Sequence, residues 1–229
     1  MEEKLRKSIE KKKRKEEIIK LNEPPKLTIL EEVGNAVTHG IGAILAIAGM
    51  VILICKSDTG LKIMASCFYG ISLILLMLMS CLYHSFKSGS KVKRLWRKFD
   101  YSSIYLLIGG TFAPLYLVYW GNTLGIVLFS IQWFLIILGI TIICIFGPGR
   151  FKWIHFTLYF VIGWSGVIFF PDWIKNNIQL FWMILTGGVI YTVGMIPFVK
   201  DKKNSHFIWH FFVLAGAIIH WFGIYLFVF

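Results

Sequence analysis

Seven stretches of this chain are apolar for long enough to cross a bilayer, and polar breaks separate them. The runs fall near 36–55, 62–84, 101–119, 124–146, 152–170, 178–199 and 206–228. Each is close to the ~20 residues that a spanning helix needs. The breaks are Lys56 to Gly60, the basic stretch Lys87 to Lys98, a tight turn at Gly121-Asn122, Gly147 to Arg150, Pro171 to Asn177 and Lys200 to Asn204. Pro114 and Pro197 lie inside or near the ends of runs and are expected to kink them. Tyr101 to Gly149 carries no charge at all and reads as a helical hairpin within the bilayer. The pattern predicts an all-α fold, a seven-transmembrane-helix bundle over 33–229, preceded by a charged tail over 1–32. In the tail ten Lys and Arg are offset by eight Glu. It is expected to be a solvated helix with a weak membrane-facing stripe of Leu5, Ile9, Ile18, Ile19 and Leu21, ended by Pro24-Pro25. It lacks the apolar core of a secretory signal, so no cleaved signal peptide is expected.

Composition agrees with that reading. Hydrophobic residues make up 57% of the chain and charged ones 16%, which places it with integral, multi-pass membrane proteins. The net charge of +12 does not call for nucleic acid, because the basic residues lie in a few segments between the runs. With the amino terminus in the cytoplasm, the inner segments hold 21 Lys and Arg and the outer ones 3. The positive-inside rule therefore predicts a cytoplasmic amino terminus and a carboxyl terminus outside. Cys55, Cys67, Cys81 and Cys144 form no C-x-x-C pair and read as small buried side chains. No lysine follows Lys203, which argues against a retinal Schiff base. The absence of acids in mid-membrane argues against a carboxylate-coupled pump.

The candidate chemistry lies at one end of the bundle. His206 and His210 open the last run four residues apart, so both imidazoles fall on one helical face. There is no glutamate between them, so this is not the zincin pattern and any base must come from elsewhere. In the predicted topology His84 ends the second helix at the inner face. Asp100 opens the third helix there, and no other acid is expected in the apolar interior. Four side chains from three helices thus share a layer. Three histidines suit zinc with a fourth position left open. Zinc lowers the pKa of its bound water to roughly 7. Asp100 could orient or deprotonate that water, and Ser80, one turn before His84, could hydrogen-bond a polarised substrate oxygen.

Each residue also has a plainer use. His206 and His210 could anchor a helix end, Asp100 could be a helix N-cap, and Ser80 could be a small packing residue. His39 is expected to hydrogen-bond locally. His155, beside Lys152 and Trp153, reads as an interfacial anchor. His220 is ten residues beyond His210, about 15 Å along the axis, and is expected to be an interhelical hydrogen-bonding histidine. Most of the nine tryptophans, among them Trp96, Trp120, Trp153, Trp173 and Trp209, fall at run edges and read as an aromatic belt.

Taken together, Ser80-x-x-x-His84, Phe99-Asp100-Tyr101-Ser102, His206-x-x-x-His210 and Glu32-x-Gly34-Asn35-x-x-Thr38-His39 resemble the hemolysin III branch of the progestin and adipoQ receptor family. The resemblance runs from Glu31 onward and leaves out the tail. It implies a seven-helix bundle with zinc near the cytoplasmic face, held by His84, His206 and His210. It also implies that Asp100 contacts the zinc-bound water, with Ser80 beside the site. The family is similar to alkaline ceramidases, and some members have been linked to membrane lipid homeostasis. A bacterial plasma membrane is the implied location.

The expected function is that of a zinc-dependent hydrolase of lipid amide or ester bonds, with Asp100 and Ser80 catalytic. Its partners would be membrane lipids and a lipid-like substrate or ligand within the bundle, with no nucleic acid. One alternative is a receptor-like sensor or regulator of membrane state with structural zinc. Another is a hemolysin-type pore-forming cytolysin, which the uniformly apolar spans support little. The sequence leaves the lipid and the oligomeric state open.

Overall fold

The computed structural model describes residues 1–200 and 202–229. Residue 201, within the expected break Lys200 to Asn204, lies outside them. Among the described residues, seven helical elements are long and apolar enough to span a membrane. The protein is an all-helical, multi-pass integral membrane protein.

The elements are α1 (Glu2–Leu21), α2 (Ile29–Lys56), α3 (Gly60–Ser85), α4 (Lys91–Ala113), α5 (Thr123–Phe146), α6 (Lys152–Gly163), α7 (Phe170–Asn176), α8 (Ile178–Lys200) and α9 (Ser205–Phe227). α4 runs on as a π-helical segment, Pro114–Trp120, and a short 3-10 turn, Ser165–Phe169, joins α6 to α7. Five of the spanning elements have a readable start. Thr28, Thr59, Ser90 and Asn122 each accept a backbone N–H three residues on, which satisfies donors that the first turn leaves free. Asn177 does the same for Leu180 in α8.

Several spans are longer than their apolar runs. α4 begins at Lys91, not at Tyr101, so most of the expected basic break is its first turns. Ser90 is the N-cap, and Asp100 is not. The polar stretch after residue 170 is likewise helical, as α7. The interruption before it has a local cause. The carbonyl of Ile162 leaves the helical ladder and accepts from Gln132 Nε2 at 3.0 Å and from Ser165 Oγ at 2.6 Å. Pro114 has no N–H to donate to the preceding turn, and the widened π-helical spacing starts at that residue. Pro197 lies inside α8 without ending it. At the turn expected over Gly121-Asn122, Gly121 takes a left-handed φ of 53°.

The most extensive helix contacts are α2 with α3, α3 with α4 and α8 with α9, and α9 packs back on α2. The core runs along α3, with Tyr69, Leu73, Leu76 and Met77, towards Val213 and Ala217 of α9. All four cysteines are free. Cys55 and Cys144 are exposed on the outside of the bundle and not buried. Trp173 is completely buried and stacks on Trp120, with ring centroids 4.9 Å apart. That pair is part of a packed aromatic cluster and not of an edge belt. Trp209 is also buried.

Candidate metal centre

The chain direction brings the end of α3 and the starts of α2, α4 and α9 to one end of the bundle. Two contacts fix α9 against α2 there. Glu31 completes a capping box with Thr28, and its Oε1 also accepts the backbone N–H of Asn204 at 2.6 Å. Asn204 is the N-cap of α9 and adopts a left-handed φ of 62°. Gly34 supplies the room: a Cβ at that position would lie 2.8 Å from the Phe207 ring.

His84, His206 and His210 meet in this frame. Their ring centroids are 4.9, 5.0 and 5.1 Å apart, a nearly equilateral triangle. One ring nitrogen from each can be chosen so that all three lie within 4.8 Å of one another, close enough to hold a metal ion. Nε2 of His84 and Nε2 of His206 are 3.2 Å apart. Two nitrogens at about 2.0–2.1 Å on a tetrahedral zinc would be about 3.3 Å apart. Among the described residues, Nδ1 of His210 is buried with no hydrogen-bond partner. The donor set and its spacing fit a metal ion.

A carboxylate outside the apolar interior holds the His84 ring. Glu32 Oε2 lies 2.7 Å from His84 Nδ1. With Nδ1–H donating to Glu32, the lone pair of His84 is on Nε2, the nitrogen that faces His206. Glu32 Oε1 lies 2.7 Å from Nζ of Lys93. Lys93 is completely buried, donates to the carbonyl of Phe86 at 3.1 Å, and lies 4.9 Å over the Tyr83 ring. Glu32 thus joins α2 to the end of α3 and the first turn of α4. Sequence reasoning assigned this residue, outside the apolar interior, no role at the site. The Glu32-x-Gly34-Asn35 stretch was the available signal. Asn35, also fully buried, places Nδ2 3.4 Å from the same His84 nitrogen.

Asp100 lies in the third turn of α4, and Ser80 lies one turn before His84 on α3. Both line a cavity of about 30 Å³ together with His39, His206 and His210. Of the site residues expected from the sequence, Ser80, Asp100, His206 and His210 thus line one small space, and His84 joins it through the histidine triangle. His39 is not locally hydrogen-bonded as expected. It is buried with neither ring nitrogen partnered among the described residues, and it stacks on His210 at a centroid distance of 3.8 Å. His155 is not an interfacial anchor, since it is completely buried and Nδ1 is 2.9 Å from the Tyr105 hydroxyl. His220 does bridge helices, with Nε2 donating to the Ile184 carbonyl at 3.1 Å.

Comparison with known proteins finds relatives over most of the chain. A family profile described as "Haemolysin-III related" matches residues 27–221. The chain is 40% identical over 205 residues to Hemolysin-3 of Bacillus cereus, covering 87% of this chain and 93% of that one. It is 37% identical over 195 residues to a Hemolysin-3 homolog of Bacillus subtilis (strain 168), covering 83% and 91%. Over 209 residues it is 28% identical to the monocyte to macrophage differentiation factor of Homo sapiens, covering 87% and 85%.

Proposed function

We propose that this chain, which belongs to the Haemolysin-III related family, is a zinc-dependent hydrolase acting on an amide or ester bond of a membrane lipid. The observation that carries this reading is the triangle of His84, His206 and His210 with a carboxylate and a hydroxyl, Asp100 and Ser80, in the adjoining cavity. Three nitrogen ligands would leave a zinc ion one open position, and zinc held there would supply a Lewis acid and lower the pKa of water to about 7. Asp100 takes the proton of the attacking water and can return it to the leaving group. Ser80 donates a hydrogen bond to the substrate carbonyl oxygen as charge develops on it. Glu32 keeps His84 in one tautomer and one orientation throughout.

The cavity bears on how a substrate arrives. A space of about 30 Å³ holds roughly one water and not the linkage region of a lipid. The helices around it must part for a lipid to enter sideways from the bilayer. The basic residues at this end of the bundle support a site near the cytoplasmic face, with the amino terminus inside.

Detergent-purified, zinc-loaded protein assayed against ceramides, phospholipids and acyl-amides is expected to release fatty acid from at least one of them. His84→Ala should abolish release by removing the metal. Asp100→Asn should abolish it with the metal retained. If no lipid in the panel is turned over faster than by the His84→Ala protein, the hydrolase reading is lost. The small cavity favours the second reading in that event, a regulator of membrane state in which zinc is structural. A metal-free variant that still corrects lipid composition in cells would exclude both.

A further inference from the structure

The charged helix α1 is not left in solvent along its whole length. Asn22, just past its end, donates from Nδ2 to the carbonyl of Phe146 at 2.9 Å, and its Oδ1 accepts from the N–H of Gly149 at 3.0 Å. Glu23 pairs with Arg94 at 3.1 Å. The carbonyl of Glu23 accepts from Arg97 at 3.4 Å. These contacts hold the last turn of α1 over the α5–α6 connection and beside α4. Gly149 makes the approach possible, because a Cβ there would run into the carbonyl of Leu21.

Between these elements lies a cleft of about 640 Å³, well within the size of ligand sites. Lys20, Arg97 and Lys152 line it, with Glu17 as the one acid, and Tyr101 and Phe156 supply aromatic surface. Among the described residues none of the three cations is paired with a carboxylate. Arg97 is the most constrained: its guanidinium lies 5.2 Å over the Tyr101 ring, and its Nε is buried without a hydrogen-bond partner. Three cations around one cleft repel one another, and an anion bound among them removes that cost. The bilayer surface is the nearest source of such anions. α1 exposes Leu5, Ile9, Ile19 and Leu21 along with its lysines, a composition that lies in the headgroup layer.

We propose that this cleft binds the phosphodiester headgroup of an anionic phospholipid, held by Arg97, Lys20 and Lys152. The site goes beyond the hydrolase reading and needs neither the metal nor turnover. It shares the Tyr101 wall with the histidine cavity, so a lipid seated in the cleft lies next to the metal centre.

The test is native mass spectrometry of the full chain in detergent, titrated separately with phosphatidylglycerol, phosphatidylcholine and inorganic phosphate. Phosphatidylglycerol is expected to bind tightest. Each of Lys20→Gln, Arg97→Gln and Lys152→Gln should weaken it about fivefold, the contribution of one cation near an anionic surface. The Lys20→Gln/Lys152→Gln pair changes only exposed side chains and keeps the test open if Arg97→Gln fails to fold. Zinc content should stay at the wild-type value in all of them, which separates this result from that of the hydrolase assay. Equal affinity for phosphatidylglycerol and phosphatidylcholine, or an undiminished preference in the Lys20→Gln/Lys152→Gln pair, would overturn the proposal. So would inorganic phosphate binding as tightly as phosphatidylglycerol, which would assign the cleft to a soluble anion.

Discussion

Glu32 Oε2 lies 2.7 Å from Nδ1 of His84, and Oε1 of the same carboxylate lies 2.7 Å from the buried ammonium of Lys93. One side chain therefore sets the tautomer of a histidine in the candidate metal triad and neutralises a cation that has no access to water. Removal of such an outer carboxylate typically costs 10- to 100-fold in metal affinity. Glu32→Gln is expected to weaken zinc binding about tenfold to 100-fold while the protein stays folded. A competition titration against a chelator of known affinity would read this, and an unchanged affinity would show that Glu32 does not brace the site.

The same pair makes a stability prediction. Leaving one member of a buried ion pair without its partner costs about 3–5 kcal/mol, whereas removing both can be nearly neutral. Glu32→Gln and Lys93→Met alone should each lower the thermal stability of the detergent-solubilised protein, and the double variant should lie well above the sum of the two. Additive losses would mean that the two charges do not interact.

Metal content tests the triad directly. Elemental analysis of wild-type protein is expected to give about one zinc per chain. The His206→Ala/His210→Ala pair should give essentially none. Wild-type protein that is well folded and stays metal-free after zinc is supplied would remove the centre and the hydrolysis that depends on it.

Glu31 works at the same end of the bundle by a different route, capping α2 and accepting from the N–H of Asn204 at the start of α9. Glu31→Ala loses its half of the capping box with Thr28, on the order of 1 kcal/mol, together with the link to α9. The expected result is a lower unfolding temperature and a looser histidine site with weaker zinc binding. An effect on stability with zinc affinity untouched would show that the start of α9 holds its place without Glu31.

Farther along the bundle, α8 and α9 touch at Gly187, where an added Cβ would collide with the His220 ring. Gly187→Ala must displace that ring from the Ile184 carbonyl, which it meets at 3.1 Å. Overpacking of this kind costs about 1–3 kcal/mol. Thermal unfolding of Gly187→Ala beside a Gly187→Ala/His220→Ala double variant would check it. If the double variant is no more stable than the single one, the collision is not the cause.

The order of apolar and polar residues along the chain was enough to count the spanning helices and to bring His84, His206, His210 and Asp100 to one end. Spanning a bilayer depends on transfer free energy summed over about 20 neighbouring residues, a property of the linear chain. Alternation of direction then places the ends of the runs. Helix limits were less legible. The turns from Lys91 to Lys98 are helical yet too charged to read as span, and so Asp100 looked like a cap when Ser90 is the cap. Side-chain partners were decided by tertiary structure alone. Glu32 stands beside Glu31 at the end of the charged tail and reads as solvated until the packing of α2 against α3 and α4 carries it to His84 and Lys93. His155 reads as an interfacial residue beside Lys152 until α6 packs on α4 and presents it to Tyr105. Burial and hydrogen bonding depend on which helix lies across from a residue, and no local window of the chain contains that neighbour.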